Sequence, residues 1–188
     1  MLEARDEIIL NGAVAEDDWA LLRLDEGESA DTVLVPAGKV IVPLAVWQAQ
    51  RGALEQRLPN LGVWLAADER PEVLADDVKK LTLIAVNFPK FTDGRGYSIA
   101  YNLRARLGYT GQLRAIGDVL RDQLFSMHRV GFDAYATRPD RNIHDALKGL
   151  SVFSETYQAS WDEKTPLFRR HPRTSQSPAP DTDIGFGI

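Results

Sequence analysis

The sequence predicts an α/β protein: a single domain with a mostly parallel sheet of about five β/α units. Three observations predict it. From Thr32 to Trp161, apolar runs of strand length alternate with stretches of helical period. Thr82-Leu83-Ile84-Ala85-Val86 is apolar on both alternating faces, the mark of a parallel strand covered on both sides. Glycine and proline stand at the ends of these runs, where an α/β chain turns. An open doubly wound sheet and a partial β/α barrel both fit this count. Residues 1–30 read as a small N-terminal β appendage, 31–161 as the α/β domain, and 162–188 as a disordered or docking tail.

Glu7-Ile8-Ile9-Leu10 is a short strand ended by the turn formers Asn11-Gly12, and Trp19 to Leu24 is a second. Thr32 to Val35 reads as a strand stopped by Pro36, and Lys39 to Val42 as another. Pro43 is a good first helical residue, and Leu44, Trp47, Leu54 and Leu58 then share one face up to Pro59. Leu61 to Ala66 is a strand; Pro71 opens a helix with Leu74, Val78 and Leu81 on one side. After the strand at Leu83 to Val86, the pattern predicts a helix from Arg95 to Leu107, stopped by Gly108, and a strand over Gln112 to Ile116. Asp118 is placed to cap a helix carrying Val119, Leu120, Leu124 and Met127, ended by Gly131 before a strand over Phe132 to Ala136. Asn142 caps a long closing helix in which Ile143, Ala146, Leu147, Leu150, Tyr157 and Trp161 recur. Beyond Asp162 the chain is too poor in apolar residues to fold alone and is expected to be mobile, with Phe186 and Ile188 as candidate docking residues.

A chain of 188 residues without cysteine has no disulfide, no thiolate metal site, no cysteine-ligated cluster and no cysteine nucleophile. Lys and Arg number 22 against 27 Asp and Glu, a formal charge of -5, which argues against nonspecific binding to nucleic acid or an anionic membrane. Met1 to Glu7 is acidic and lacks the order of a signal peptide, and no apolar run nears the ~20 residues of a membrane span, so the expected location is cytoplasmic. His128, His144 and His171 show no metal spacing, and Trp19, Trp47, Trp64 and Trp161 are scattered as core or interface fillers.

Loops leaving the C-terminal ends of parallel strands share one edge, where ligands bind. Three loops are predicted to converge there: Phe88 to Ser98, Gly117-Asp118, and Thr137 to Arg141. The first places Gly94 and Gly96 at a helix N-terminus with Lys90 and Arg95 alongside, a setting for phosphate, sulfate or carboxylate. Thr92, Asp93, Tyr97 and Ser98 complete it; the plainer alternative is that Thr92 or Asp93 caps the helix and the glycines make the turn. Arg114 and Arg121, held by Asp118, are candidate clamps, and Arg138 joins them from the third loop. No catalytic constellation, metal set or cofactor fingerprint is identifiable.

The run Phe88-Pro89-Lys90-Phe91-Thr92-Asp93-Gly94-Arg95-Gly96-Tyr97-Ser98, with Gly117 to Leu124 and Gly131 to Ala134, resembles a bacterial family, the domain of unknown function 934 family. The likeness runs from Ile8 to about Tyr157. Members of that family are labelled oxidoreductases of sulfite reduction, so the resemblance implies a role beside assimilatory sulfite reductase in sulfur assimilation and cysteine biosynthesis. Some members carry Cys where this chain has Val130, so a thiol role at that position does not transfer. Sirohaem reduction of sulfite relies on a cysteine-ligated cluster, which this chain cannot hold, so it is not the catalytic subunit. Three readings follow: an accessory protein or oxidoreductase of sulfite reduction with an anion-binding edge; an independent enzyme taking a phosphate-, sulfate- or flavin-type ligand at Lys90, Arg95, Arg114 and Arg138; and a non-catalytic partner of sulfite reductase that dimerises through the helix face around Trp161.

Overall fold

The computed structural model describes residues 1–153 and 155–170, whose nine strands form one sheet. They are β1 (Leu2–Ala4), β2 (Glu7–Leu10), β3 (Ala13–Glu16), β4 (Ala20–Leu22), β5 (Val40–Pro43), β6 (Leu61–Leu65), β7 (Leu83–Phe88), β8 (Gln112–Gly117) and β9 (Ala134–Tyr135). Five helices accompany them: α1 (Leu44–Leu54), α2 (Arg95–Ala105), α3 (Arg121–Arg129), α4 (Ile143–Leu147) and α5 (Leu167–Arg170).

The strand order is β1-β4-β5-β6-β7-β8-β9-β2-β3. From β4 to β9 every neighbour is parallel and follows in chain order; β1, β2 and β3 pair antiparallel at the edges. A doubly wound sheet needs a reversal in that order, and none occurs, so this expectation is corrected. A barrel of five repeated units is corrected too, because the sheet is mixed. The N-terminal strands do not stand apart as an appendage: they supply both edges of the sheet.

That arrangement forces curvature. β1 and β2 are first and eighth in the order, roughly 34 Å apart if the sheet were flat, yet only Arg5 and Asp6 join them, a reach of about 10 Å. The sheet therefore curls into a half-barrel whose two edges approach each other. Alternation along the strands then sorts side chains between two faces. Val40, Val42, Val63, Ile84, Val86 and Leu113 face the helices, packing with Trp47, Leu103 and Leu124. The concave face holds a smaller cluster of Leu21, Ile41, Leu83, Ala85, Ile116 and Ala136, with Trp19 and Trp64 against it.

Three predicted elements fail for tertiary reasons. Thr32 to Val35 is not a strand; Val33 and Val35 pack on the core from a loop. Past Pro71 the chain makes a single tight 3₁₀ turn, Pro71–Leu74, and then more turns. Leu74, Val78 and Leu81 are buried as the spacing predicts, but buried Asp77 accepts from the Trp47 indole N–H at 3.0 Å and ties this segment to α1. Asn142 does cap a helix, accepting from the Asp145 N–H at 3.0 Å, but α4 tightens into a 3₁₀ turn over Lys148–Ser151 and the long closing helix does not form. Gly149 explains the tight approach, since a Cβ there would lie 2.3 Å from the Arg121 carbonyl. Trp161 instead packs beside Gly131 and donates its backbone N–H to Arg129 O at 3.0 Å, so there is no helix face around Trp161 through which to dimerise. Among the described residues no helix is long and apolar enough to cross a membrane. The predicted docking residues Phe186 and Ile188 lie outside the described residues.

Candidate functional site

The C-terminal ends of β7, β8 and β9 lie side by side, and Asp118 joins their loops. Its Oδ2 accepts the Phe91 N–H at 2.8 Å, its Oδ1 accepts the Arg138 guanidinium at 3.2 Å, and its own N–H donates to Phe88 O at 2.8 Å. Gln123 reinforces the junction, donating to Phe91 O at 3.1 Å and accepting from the Leu120 N–H at 2.9 Å. Gly117 has φ +93° and a Cβ there would sit 2.4 Å from Phe88 O, so only glycine lets β7 and β8 end this closely. Asp118 therefore does not cap α3, which starts at Arg121 under the Leu120–Gln123 bond, and it clamps neither Arg114 nor Arg121.

The arginines of this rim are already partnered. Arg95 folds back on Asp93 with Nη2 2.6 Å from Oδ2, and Oδ1 accepts the Arg95 N–H at 3.1 Å. A carboxylate of the chain thus occupies the N-terminal end of α2, where a foreign anion was expected. Gly96 is buried by packing, since a Cβ would lie 2.6 Å from the Phe88 ring; Gly94 borders open space. Lys90, Thr92 and Ser98 are exposed, while Tyr97 is half-buried against the edge of Phe88, and burial pushes its phenol pKa up. Arg138 also pairs with Asp140 at 2.8 Å, and Arg121 pairs with Asp145 at 3.0 Å. The rim's cavity of about 550 Å³ is lined by Arg121 and Arg141 but also by Asp122, Asp140 and Asp145, a balance that disfavours an anion.

These pairs predict a pH response. Hydrogen bonds from the Arg95 guanidinium and N–H hold Asp93 down at about 2, against 3.8 for a free carboxyl. Arg138 likewise lowers Asp140, and Arg121 lowers Asp145. Depressed carboxyls add stability that is complete above the unfolded pKa and fades as pH falls through the folded one. Urea midpoints should therefore drop between pH 4 and pH 2, and less steeply in Asp93→Asn; an identical slope in the variant would refute the assignment.

Arg114 lies elsewhere. Alternation in β8 turns it, like Ile116, to the concave face, where it makes a bidentate pair with Asp17 at 2.9 and 3.0 Å. Both side chains are nearly inaccessible, 4% and 2% exposed. Around this pair stand residues not anticipated from the sequence: Glu3, Arg5, Arg23, Trp64 and Asn87. Arg23 donates to Glu3 at 2.8 Å and to Asn87 Oδ1 at 3.3 Å, and its guanidinium lies 5.3 Å from the Trp64 ring centre. Arg5 donates to the Thr137 carbonyl. Burial lowers its pKa, opposed by Glu3 and Asp17 and assisted by Arg114 and Arg23. Arg23 is thus taken by Glu3 and Arg114 by Asp17, which leaves Arg5 without a carboxylate partner among the described residues. The gap beside Arg5 and Arg114 is only about 20 Å³, room for a water. Space for a ligand lies next to it, in a cavity of about 320 Å³ lined by Arg23, Trp64 and Glu69. Among the described residues no group of three histidines or carboxylates is placed to hold a metal.

One family model, described as a bacterial protein of unknown function (DUF934), matches residues 62–168, more than half of the chain. No curated protein and no solved structure matches it.

Proposed function

The chain belongs to that bacterial family, and on this premise we propose that it is an accessory protein of assimilatory sulfite reduction, binding a small oxyanion beside Arg5 and Arg23 on the concave strand-end edge. The observation that carries the proposal is Arg5: it sits half-buried beside the pairs Arg23–Glu3 and Arg114–Asp17 and has no carboxylate partner of its own among the described residues. Taking an uncompensated guanidinium out of water is costly, and an anion relieves that cost. The site also lies at the C-terminal ends of parallel strands, where curled β/α sheets place their ligands. The pathway half of the proposal is supported by the motif from Phe88 to Ser98. The family match begins at residue 62, so Trp64 and Asn87 fall inside it and Arg5 and Arg23 outside.

Calorimetric titration with sulfite, sulfate and phosphate at low ionic strength tests the binding half. One anion per chain is expected, weakening as salt rises. Arg23→Gln should lose about tenfold or more in affinity, the scale of a charge-assisted hydrogen bond, whereas Arg138→Gln on the self-paired rim should change it less than about twofold. Equal binding by Arg23→Gln and the parent would end the assignment. Co-purification with sulfite reductase and poor growth of a deletion strain on sulfate as sole sulfur source test the pathway half; normal growth would remove it.

A further inference from the structure

The cavity beside Arg23 is larger and more apolar than a small oxyanion needs. At about 320 Å³ it has one guanidinium in its lining, and most of the remaining wall is Leu24, Pro43, Ala45, Ala66 and the Trp64 ring. Pro43 and Trp64 are direct cross-strand neighbours in the β5–β6 register, so the two form one continuous apolar wall. Trp64 is fixed in place: its indole N–H donates to Leu22 O at 2.9 Å while Arg23 lies over its ring. The lining's one carboxylate, Glu69, accepts the Ala66 N–H at 2.6 Å and leaves its second oxygen available to a donor.

A bare oxyanion is strongly hydrated and gains nothing from apolar walls; a flat ring displaces water from them and packs against an indole. We propose that the ligand of this cavity is an organic anion, an acidic head group held by Arg23 and carried on a flat unsaturated ring that lies against Trp64 and Pro43. This rests on the oxyanion reading of Arg23 and deepens it by naming the ligand class.

Matched probes separate the two. Benzenesulfonate and benzoate are compared with methanesulfonate and acetate, which keep the head group and lack the ring. Binding is followed at the Trp64 indole N–H resonance, identified by its loss in Trp64→Phe. The ring compounds should bind about tenfold more tightly, the scale of burying one ring face. Ala45→Leu, which fills the exposed wall against which the ring would lie, should abolish that advantage. Equal affinity of ring and methyl compounds, or a ring advantage untouched by Ala45→Leu, overturns this inference and leaves the oxyanion reading standing. No binding by any of the four probes, together with none by sulfite, sulfate or phosphate, overturns both.

Discussion

Asp17→Ala is expected to destabilise the protein by about 3 to 5 kcal/mol, because it strands Arg114 as an uncompensated charge in the concave face. For a chain of this size the melting temperature should fall by on the order of 10 °C. Arg114 is 3% exposed and its pKa is lowered by burial, and the gap beside it has room for only about one water, too little to take over from Asp17. The pair also spans the molecule, since Asp17 sits in the β3–β4 connection and Arg114 in the middle of β8. Losing it loosens the curl as well as the charge balance. The double variant Asp17→Leu with Arg114→Met should recover most of the loss, since an apolar pair of similar volume replaces a buried ion pair at little cost. Guanidinium chloride midpoints measure both; a single variant within about 1 kcal/mol of the parent would show that Arg114 is neutralised in some other way.

Arg104→Met should cost a similar amount, on the order of 4 kcal/mol, by leaving four acceptors without donors. Arg104 is 6% exposed and joins three segments: Nε donates to Gly131 O at 2.9 Å, Nη1 to Tyr109 O and Gly111 O at 2.8 Å each, and Nη2 to Asp133 Oδ2 at 2.7 Å. Lysine, with a single nitrogen, cannot reach this set, so Arg104→Lys should rescue little. The loss should also depend on pH. Burial already raises the Asp133 pKa, with the Leu113 N–H and Arg104 opposing; without Arg104 it rises further. A raised carboxyl is harmless while protonated and costs stability as pH climbs through its folded pKa. Arg104→Met should therefore lose more at pH 7 than at pH 4, and a loss independent of pH would refute this account of Asp133.

Periodicity located the parallel strands well because burial on both faces leaves a local trace: Leu83 to Val86 is apolar throughout and lies between β6 and β8. Turn chemistry was legible at Gly108 and Gly131, whose positive φ of 66° and 108° stops helices as expected. Helix length was not, because the apolar spacing from Ile143 to Trp161 continues past the point where Gly149 presses on Arg121 O. At the site, the meeting of the Phe91, Asp118 and Arg138 segments follows from parallel strands ending together. The self-pairing of Arg95 with Asp93 and of Arg138 with Asp140 was within reach, being only two residues apart in each case. Arg5 and Arg23 carried no local signal at all.

By itself the sequence determined the α/β class, the parallel strands and the end of the sheet at which their loops gather, since each depends on residues a few positions apart. Tertiary structure alone decided which long-range partner each buried or half-buried arginine meets. Arg114 meets Asp17, 97 positions away, and Arg5 meets Thr137, 132 away, only because two short links pull the edges of the sheet together. Charge pairing acts over a few ångströms of space and takes no account of separation along the chain.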